Sequence, residues 1–223
     1  MSRKRAFWLA LVVAAVVGGC ATAGEEATEM RRLQARAAYE RGLAHLRDRQ
    51  AALALAALQE AVALDATAPL YQNALGLLFL ELGRPDVALG PFRRAAELDA
   101  SYAEAQLNVG VALAELGRWE EAVEAYRKAI ALPTLAVPHI AYQNLGLALY
   151  HLKRYREAEE ALRFAISLEP RMAGAYYNLG LVLVATERPD DARAAFRRAR
   201  DLAPQSPFGQ AAAERLKALG EGS

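Results

Sequence analysis

Cysteine is almost absent from this chain, and its scarcity removes several classes of site. Cys20 is the one cysteine among 223 residues, so the chain cannot form an internal disulfide or a zinc site built on several cysteines. The three histidines, His45, His139 and His151, lack the spacing of metal ligands. We therefore predict no metal site and no cofactor, and we expect the histidines to lie at the surface.

The chain also lacks an excess of charge of either sign. Its formal net charge is +1, and without Arg3, Lys4 and Arg5 the remaining 24 basic residues stand against 26 acidic ones. A basic surface for nucleic acid is therefore not expected. Neither a phosphate-binding glycine loop nor a nucleophile elbow is present, and we interpret pairs such as Glu120-Glu121 and Glu159-Glu160 as solvated helix surface. The sequence argues against an enzyme and against a small-molecule substrate.

An apolar run near the amino terminus is too short for a permanent membrane span. It extends from Ala6 to Val17, behind the basic patch at residues 3–5. Twelve helical residues rise about 18 Å, whereas the hydrocarbon core of a bilayer is ~30 Å thick. A basic patch followed by a short apolar run is typical of a secretory leader, and we predict a signal peptide over residues 1–19.

The end of this leader, Val17-Gly18-Gly19-Cys20, resembles the lipobox of bacterial lipoproteins. The resemblance implies cleavage before Cys20 and a lipid on its thiol, whose acyl chains, such as palmitate, would hold the protein on a membrane. Because Ala21 replaces the aspartate that retains enteric lipoproteins in the inner membrane, it further implies the outer membrane, facing the periplasm. The alternative is an ordinary leader with an incidental cysteine. We interpret residues 20–34 as the lipidated cysteine and a short tether.

Glycine recurs at nearly constant intervals along the rest of the chain. Spacings of 34, 34, 36 and 34 residues separate Gly42, Gly76, Gly110, Gly146 and Gly180. Alanines follow each of these glycines after 12 and after 19 residues. Such a period predicts an all-α solenoid of hairpins, in which a helix A, for example Ala103 to Glu115, is followed by a turn and then by a helix B.

These are the signature positions of tetratricopeptide repeats, which the chain resembles over residues 35–206. The third repeat keeps the pattern best, at Gly110, Gly117, Trp119, Ala122, Tyr126 and Ala129. The resemblance implies a right-handed superhelical array of five repeats, at residues 35–68, 69–102, 103–138, 139–172 and 173–206. We expect residues 207–223 to hold a capping helix at Pro207–Leu219 and a tail; alternatively, this helix is half of a sixth repeat.

Several details of packing follow from the pattern. We expect the glycine at position 8 of each repeat to pack on the alanine at position 20, and the large residue at position 24 to fill the space between hairpins. Arg41 occupies position 7, which is usually apolar, and Arg49 occupies position 15, which is usually glycine. Both suit a terminal repeat with one face toward solvent. Gly90-Pro91 predicts a kinked helix, and the prolines between residues 132 and 139 predict a bulged loop.

In the tetratricopeptide family, helix A lines a concave groove through positions 2, 5, 6, 9, 12 and 13. Here position 9 is always aliphatic, which favours an apolar protein partner, and asparagines at position 6 suit a peptide backbone. The alternative is that these residues pack on neighbouring helices and satisfy local backbone groups. The charged clamp of chaperone-binding members is missing from repeats two to five. The predicted partner-binding residues are Leu77, Val111, Leu147, Leu181, Tyr150, Asn73, Asn108, Asn144, Asn178 and Tyr177.

As an exported array, the chain looks like the pilotin lipoproteins of type IV pilus biogenesis. The distinguishing elements are the junction between the third and fourth repeats, ALPTLAVPHIAYQNLGLALY, and the ending, APQSPFGQAAAERLKAL. The resemblance implies a non-catalytic protein that binds outer-membrane secretin subunits in its groove and assists their assembly. A general tetratricopeptide-repeat scaffold for another envelope or secretion complex is the alternative.

Overall fold

The fold, seen in a computed structural model, is entirely helical over the residues that the structure describes. These are the backbone of residues 3–220 and the side chains of residues 24–220, so the side chains of the predicted leader and of Cys20 lie outside the described residues. The helices are α1 Arg3–Arg47, α2 Ala51–Leu64, α3 Pro69–Glu81, α4 Pro85–Leu98, α5 Ala103–Glu115, α6 Trp119–Ile130, α7 Pro138–His151, α8 Tyr155–Leu168, α9 Ala173–Ala185, α10 Pro189–Leu202 and α11 Pro207–Ala218.

The chain divides into two compact units, Met1–Leu78 and Phe79–Ser223, with the division inside α3. In the first unit α1 packs against α2, and Gly42 of α1 gives room to the side chain of Leu58. Arg41 lies exposed, as the terminal position of its repeat predicts, and its guanidinium contacts the Glu60 carboxylate at 2.7 Å. The rings of Tyr39 and Tyr71 lie 5.1 Å apart.

The helix α1 is much longer than the helix A of a single repeat. It continues through residues 20–34, which the sequence suggested were a tether, and every described side chain from residue 24 to residue 34 is exposed. Glutamate, alanine, methionine and arginine are frequent in this stretch and favour helix even without tertiary contacts. Absence of an apolar stripe therefore did not mean absence of helix.

The second unit contains three complete hairpins, α5 with α6, α7 with α8, and α9 with α10. α4 packs against α5, α6 against α7, and α8 against α9, so each helix B also contacts the helix A that follows it. α11 packs on α9 and α10, which places the predicted capping helix at the end of the array. Ser206 caps α11 by accepting a hydrogen bond from the Gly209 amide.

The recurring glycine at position 8 has a nearer neighbour than the alanine at position 20. A Cβ on Gly110 would lie 2.4 Å from Cε1 of Tyr126, and one on Gly180 would lie 2.4 Å from Cε1 of Phe196. The large side chain at position 24 therefore rests on the glycine of its own hairpin. The predicted contact with position 20 is present at Gly146, where a Cβ would lie 3.3 Å from the Ala158 carbonyl oxygen, but the side chain at position 24 lies nearer because it reaches back across the narrow gap that the glycine leaves.

The turn between helix A and helix B uses a left-handed residue at position 15 in every repeat. Gly83 and Gly117 have φ of +68° and +71°, whereas Arg49, Lys153 and Glu187 adopt φ of 57°, 58° and 57°. A side chain in this region of backbone space costs ~1–2 kcal/mol. Three of the five turns therefore keep the repeat geometry at a local cost in free energy.

The connection between the third and fourth repeats forms a loop over residues 131–137. Thr134 donates a hydrogen bond to the Ser101 carbonyl, and the Ala136 amide donates one to the Glu104 carboxylate at 3.2 Å. The two extra residues thus bend back toward the start of α5. Pro138 begins α7, where a proline is well tolerated because its missing N–H has no helical partner.

Elsewhere α4 runs without a break through Pro91, and the predicted kink at this residue stays a prediction.

Candidate functional site

The helix-A face is built by successive first helices that contact one another. Direct contacts join α5 to α7, α7 to α9 and α9 to α11. On the other side of the second unit, cavities lie between α4 and α6 and between α6 and α8. The helices A therefore lie closer together than the helices B, which is the arrangement expected where helix A lines the inner side of a curved array.

The aliphatic row at position 9 keeps part of its surface accessible. Val111, Leu147 and Leu181 are half-buried on α5, α7 and α9, and Leu77, in the first compact unit, is 45% exposed. Tyr150 and Leu147 are three residues apart on α7, so they share one face of that helix. An accessible row of branched side chains on three touching helices offers an apolar strip to another molecule.

The asparagines differ in how much surface they leave for a partner. Asn178 is 3% exposed and Asn73 is 6% exposed, whereas Asn108 and Asn144 are half-buried. Asn144 and Asn108 lie three residues before Leu147 and Val111, so each amide shares a helix face with one aliphatic residue. Asn108 and Asn144 are therefore the amides of the predicted set that are best placed to meet a peptide backbone.

Aromatic residues gather at the carboxyl-terminal end of the helix-A face. The ring of Tyr177 lies 5.7 Å from that of Phe196 and 5.9 Å from that of Phe208, which is 41% exposed. Phe208 also approaches Gly174, where a Cβ would lie 3.0 Å from its ring. Sequence reasoning missed Phe208, although its place at position 2 of a partial sixth repeat could have indicated it.

Charge on this face differs between repeats: in the third repeat Glu104 and Glu115 occupy positions 2 and 13. In the fourth and fifth repeats none of positions 2, 5, 6, 9, 12 and 13 carries a carboxylate, a lysine or an arginine. His151, at position 13, stacks on Trp119 with ring centroids 3.9 Å apart, and burial lowers the pKa of the His151 imidazole from 6.5. The part of the face on repeats four and five therefore meets a neutral or apolar surface more readily than a charged one.

The histidines are less exposed than predicted. His151 is exposed, but His45 and His139 are half-buried, and Nδ1 of His45 lies 2.7 Å from the Gln50 side chain. Across residues 24–220, no three His, Cys, Asp or Glu side chains gather closely enough to hold a metal ion. In the same part of the chain no helix has both the length and the apolar content to span a membrane.

Ion pairs organise the opposite, helix-B side of the second unit. Position 16 of repeats three to five is an arginine that pairs with a carboxylate three residues later: Arg118 with Glu121, Arg154 with Glu157 and Arg188 with Asp191, at 2.6 to 2.7 Å. Hydrogen bonds from Arg118 and Arg154 lower the pKa values of Glu121 and Glu157. Glu159 departs from the predicted solvated surface, since its side chain is 19% exposed and contacts Arg163 and Arg188.

Sequence reasoning also missed cavities on this side. One, about 450 Å³, is floored by Val109 and Leu113, and another, about 260 Å³, by Leu145 and Leu149. These residues occupy positions 7 and 11 of consecutive repeats. The same two apolar positions in successive helices A were a signal for them.

Comparison with known proteins agrees with this geometry. The tetratricopeptide-repeat model matches residues 73–136 and 143–207, more than half of the chain. The chain belongs to the tetratricopeptide-repeat family, whose members are generally non-catalytic and bind other proteins. No curated protein sequence matches it.

Solved structures with the same fold cover most of the chain. One of MamA is 25% identical, covers 77% of this chain and 93% of its own, and has a TM-score of 0.68. PilW, described as a widely conserved type IV pilus biogenesis factor, is 21% identical over 82% of this chain and 92% of its own, with a TM-score of 0.70. The pilF protein of Pseudomonas aeruginosa is 22% identical over 86% and 95%, with a TM-score of 0.68.

Proposed function

We propose that the chain is a non-catalytic binding protein that holds an apolar segment of a protein partner on its helix-A face. The observation that carries the proposal is the accessible row of Val111, Leu147 and Leu181 on three touching helices. Apolar surface in contact with water costs free energy, and a partner that covers the row removes this cost. Asn108 and Asn144 supply amides beside the row for the partner's backbone.

We further propose that the partner is a secretin subunit and that the chain acts as a pilotin in type IV pilus biogenesis. The structural likeness to PilW and to the pilF protein supports this proposal, together with the junction and ending of the sequence. A lipid on Cys20 would fix the protein to the outer membrane on its periplasmic side. In this setting the helix-A face would hold secretin subunits until they assemble.

A general scaffold for another envelope or secretion complex is the second candidate. Its support is the family alone, because tetratricopeptide repeats serve many complexes and the fold does not name the partner. Deletion of the gene separates the two candidates. A pilotin predicts loss of pili and of heat-resistant secretin multimers, whereas a scaffold for another complex predicts that both remain.

The helix-A face is tested by replacing Val111 and Leu147 together with aspartate. A bound apolar partner would bury the two new carboxylates, which is unfavourable. Crosslinking to the secretin subunit in intact cells should therefore fall at least tenfold. The matched control replaces Leu53 and Leu168, two exposed leucines on helices B, with aspartate and should leave crosslinking unchanged. Equal crosslinking by the V111D/L147D variant, with unchanged helicity in circular dichroism, would refute the proposed site.

Membrane attachment is tested separately by radiolabelled palmitate and by cell fractionation. The wild-type chain should take up label and fractionate with the outer membrane, and Cys20→Ala should do neither. Label that remains on the Cys20→Ala variant would contradict the proposed anchor without affecting the helix-A face.

A further inference from the structure

The last helix, α11, continues the helix-A face by one more helix. It packs on α9 and α10 in the same way as α9 packs on α7 and α8. Phe208 stands at position 2 of α11, the position that Ile140 occupies on α7 and Gly174 on α9. The face therefore ends on α11 and not on the last complete repeat.

The backbone at the start of α11 is held on both sides of Phe208. The Ser206 hydroxyl accepts a hydrogen bond from the Gly209 amide at 3.1 Å and donates one to the Ala203 carbonyl at 2.8 Å. Pro207 follows at the start of the helix, where its fixed φ suits the helical backbone. Gly209 is buried so close to the Ala203 carbonyl that no Cβ would fit. Phe208 thus stands on a backbone with little freedom to move.

The ring of Phe208 is also supported from below, although 41% of the residue is exposed. It lies over Gly174, where a Cβ would come within 3.0 Å of its Cε2, and 5.9 Å from the Tyr177 ring. The Gln143 amide of α7 approaches the same glycine, with its Oε1 2.8 Å from the Cβ position. A supported, exposed ring loses little side-chain entropy when another molecule covers it, which is the property of an anchor residue in an interface.

An oblique apolar strip connects Phe208 with the aliphatic row. Tyr177 and Leu181 are four residues apart on α9 and share one side of that helix, so they link Leu147 of α7 to Phe208 of α11. The row at position 9 does not run straight on, because α11 carries the exposed Arg215 there. Packed helices lie about 8–10 Å apart and seven helical residues rise ~10.5 Å, so about 20 Å separate Leu147 from Phe208.

Charge distinguishes the two ends of the helix-A face on the second unit. The face positions of repeats four and five carry no charged residue, whereas the third repeat carries Glu104 and Glu115. The Glu115 side chain is exposed and that of Glu104 is half-buried. A bound segment therefore gains most free energy if its apolar residues lie over α7 to α11 and its polar residues lie over α5.

We propose that the apolar segment of the partner crosses α9 and reaches α11, where one of its large apolar side chains packs on the Phe208 ring. This proposal rests on the proposed function and adds to it an anchor residue and a length. Two large apolar residues of the segment are about 20 Å apart, which is about six residues in an extended chain or about thirteen in a helix. The residues between them carry no charge, because the strip that they cover carries none.

Photo-crosslinking in intact cells tests the proposal. The photoreactive amino acid p-benzoylphenylalanine replaces Leu147, Phe208 or, as a control, Phe164, an exposed phenylalanine on the helix-B side. The probes at positions 147 and 208 should give the same product with the secretin subunit, and the probe at position 164 should not. Mass spectrometry should place the two crosslinks in one segment, about six or about thirteen residues apart.

The outcomes separate this proposal from the proposed function. A product from position 147 without one from position 208, or two crosslinks in distant segments, would overturn the anchor at Phe208 and leave the binding face intact. No product from position 147 would contradict the proposed function and this proposal together.

Point substitutions measure the contribution of the ring. Phe208→Ala should lower crosslinking from position 147 several-fold, and Phe208→Leu should keep most of it, because a large apolar side chain remains. Phe164 also rests on a tyrosine, with its ring 4.5 Å from that of Tyr142, so Phe164→Ala is a matched control that should leave crosslinking unchanged. Equal crosslinking by Phe208→Ala and the wild type, or an equal fall in Phe164→Ala, would overturn the proposal.

Discussion

The contact between Gly110 and Tyr126 allows one prediction to be worked out in detail. Replacing Gly110 by alanine places a Cβ 2.4 Å from Cε1 and 2.5 Å from Cδ1 of the Tyr126 ring. Carbon atoms ordinarily approach to 3.5–4.0 Å, so the ring or the helix must move by about 1 Å. Tyr126 is 2% exposed, so its ring is enclosed by other parts of the protein.

Whether Gly110→Ala raises or lowers the free energy of unfolding should depend on the presence of the Tyr126 ring. Overpacking of this kind costs ~1–3 kcal/mol, and alanine returns up to ~1 kcal/mol in a helix interior, so Gly110→Ala should destabilise the fold by about 1 kcal/mol. Tyr126→Ala removes the ring and should cost ~3–5 kcal/mol by itself. In that background the new methyl group meets no ring, and Gly110→Ala should stabilise the fold by up to ~1 kcal/mol.

Urea unfolding of the four proteins, followed by circular dichroism at 222 nm, measures this cycle. The coupling free energy between the two positions should be about 1–3 kcal/mol. The slope of each transition should be compared as well as its midpoint, because repeat arrays do not always unfold in one step. If Gly110→Ala destabilises equally with and without the Tyr126 ring, the ring is not what the glycine accommodates, and the packing argument fails.

Two further predictions concern the turns and the ion pairs. Lys153→Gly and Glu187→Gly remove a side chain from a left-handed residue. Each should stabilise the fold by roughly 0.5–1 kcal/mol in thermal or urea unfolding, because the relief of backbone strain exceeds the entropic cost of glycine. Gly117→Lys should destabilise the fold, and an unchanged unfolding midpoint in all three variants would contradict the turn argument. Because Arg118 holds the pKa of the Glu121 carboxyl below 4.5 in the fold, the stabilisation from this pair is present above that pH and is lost as the pH falls through the lowered value. Arg118→Ala should therefore raise the Glu121 pKa toward 4.5 in an NMR titration, and an unchanged midpoint would show that the pair does not hold the carboxylate.

Much of the fold could be predicted because the repeat restricts the sequence at fixed intervals. The period of Gly110, Gly146 and Gly180 gave the hairpins, and helix A of the third repeat begins and ends at the predicted residues, Ala103 and Glu115. The nearest neighbours of Gly110 and Gly180 were not predicted, because spacing gives the face of a helix but not how far a large side chain reaches. The left-handed turns at Lys153 and Glu187 had no glycine to indicate them.

The candidate site was harder to predict, because it depends on how the helices sit beside one another. The row through Val111 and Leu147 could be found from repeat positions, but the difference in burial between Asn144 and Asn178 could not. The cavities beside α6 arise from gaps between helices B; apolar residues at positions 7 and 11 indicate their floors, but the sequence does not show how wide the gaps are. The predicted site residues await the binding experiments.

The helical course of α1 beyond its repeat has a mechanical consequence for a protein attached by its amino terminus. Residues 24–34 alone rise about 16 Å at 1.5 Å per residue, and their side chains touch water on all sides. If a lipid holds Cys20, this helix would keep the first hairpin at a nearly fixed distance from the membrane and restrict its rotation, whereas an unstructured linker would let it move freely. The reach of the molecule toward neighbours at the membrane would then be set by the length of a rod.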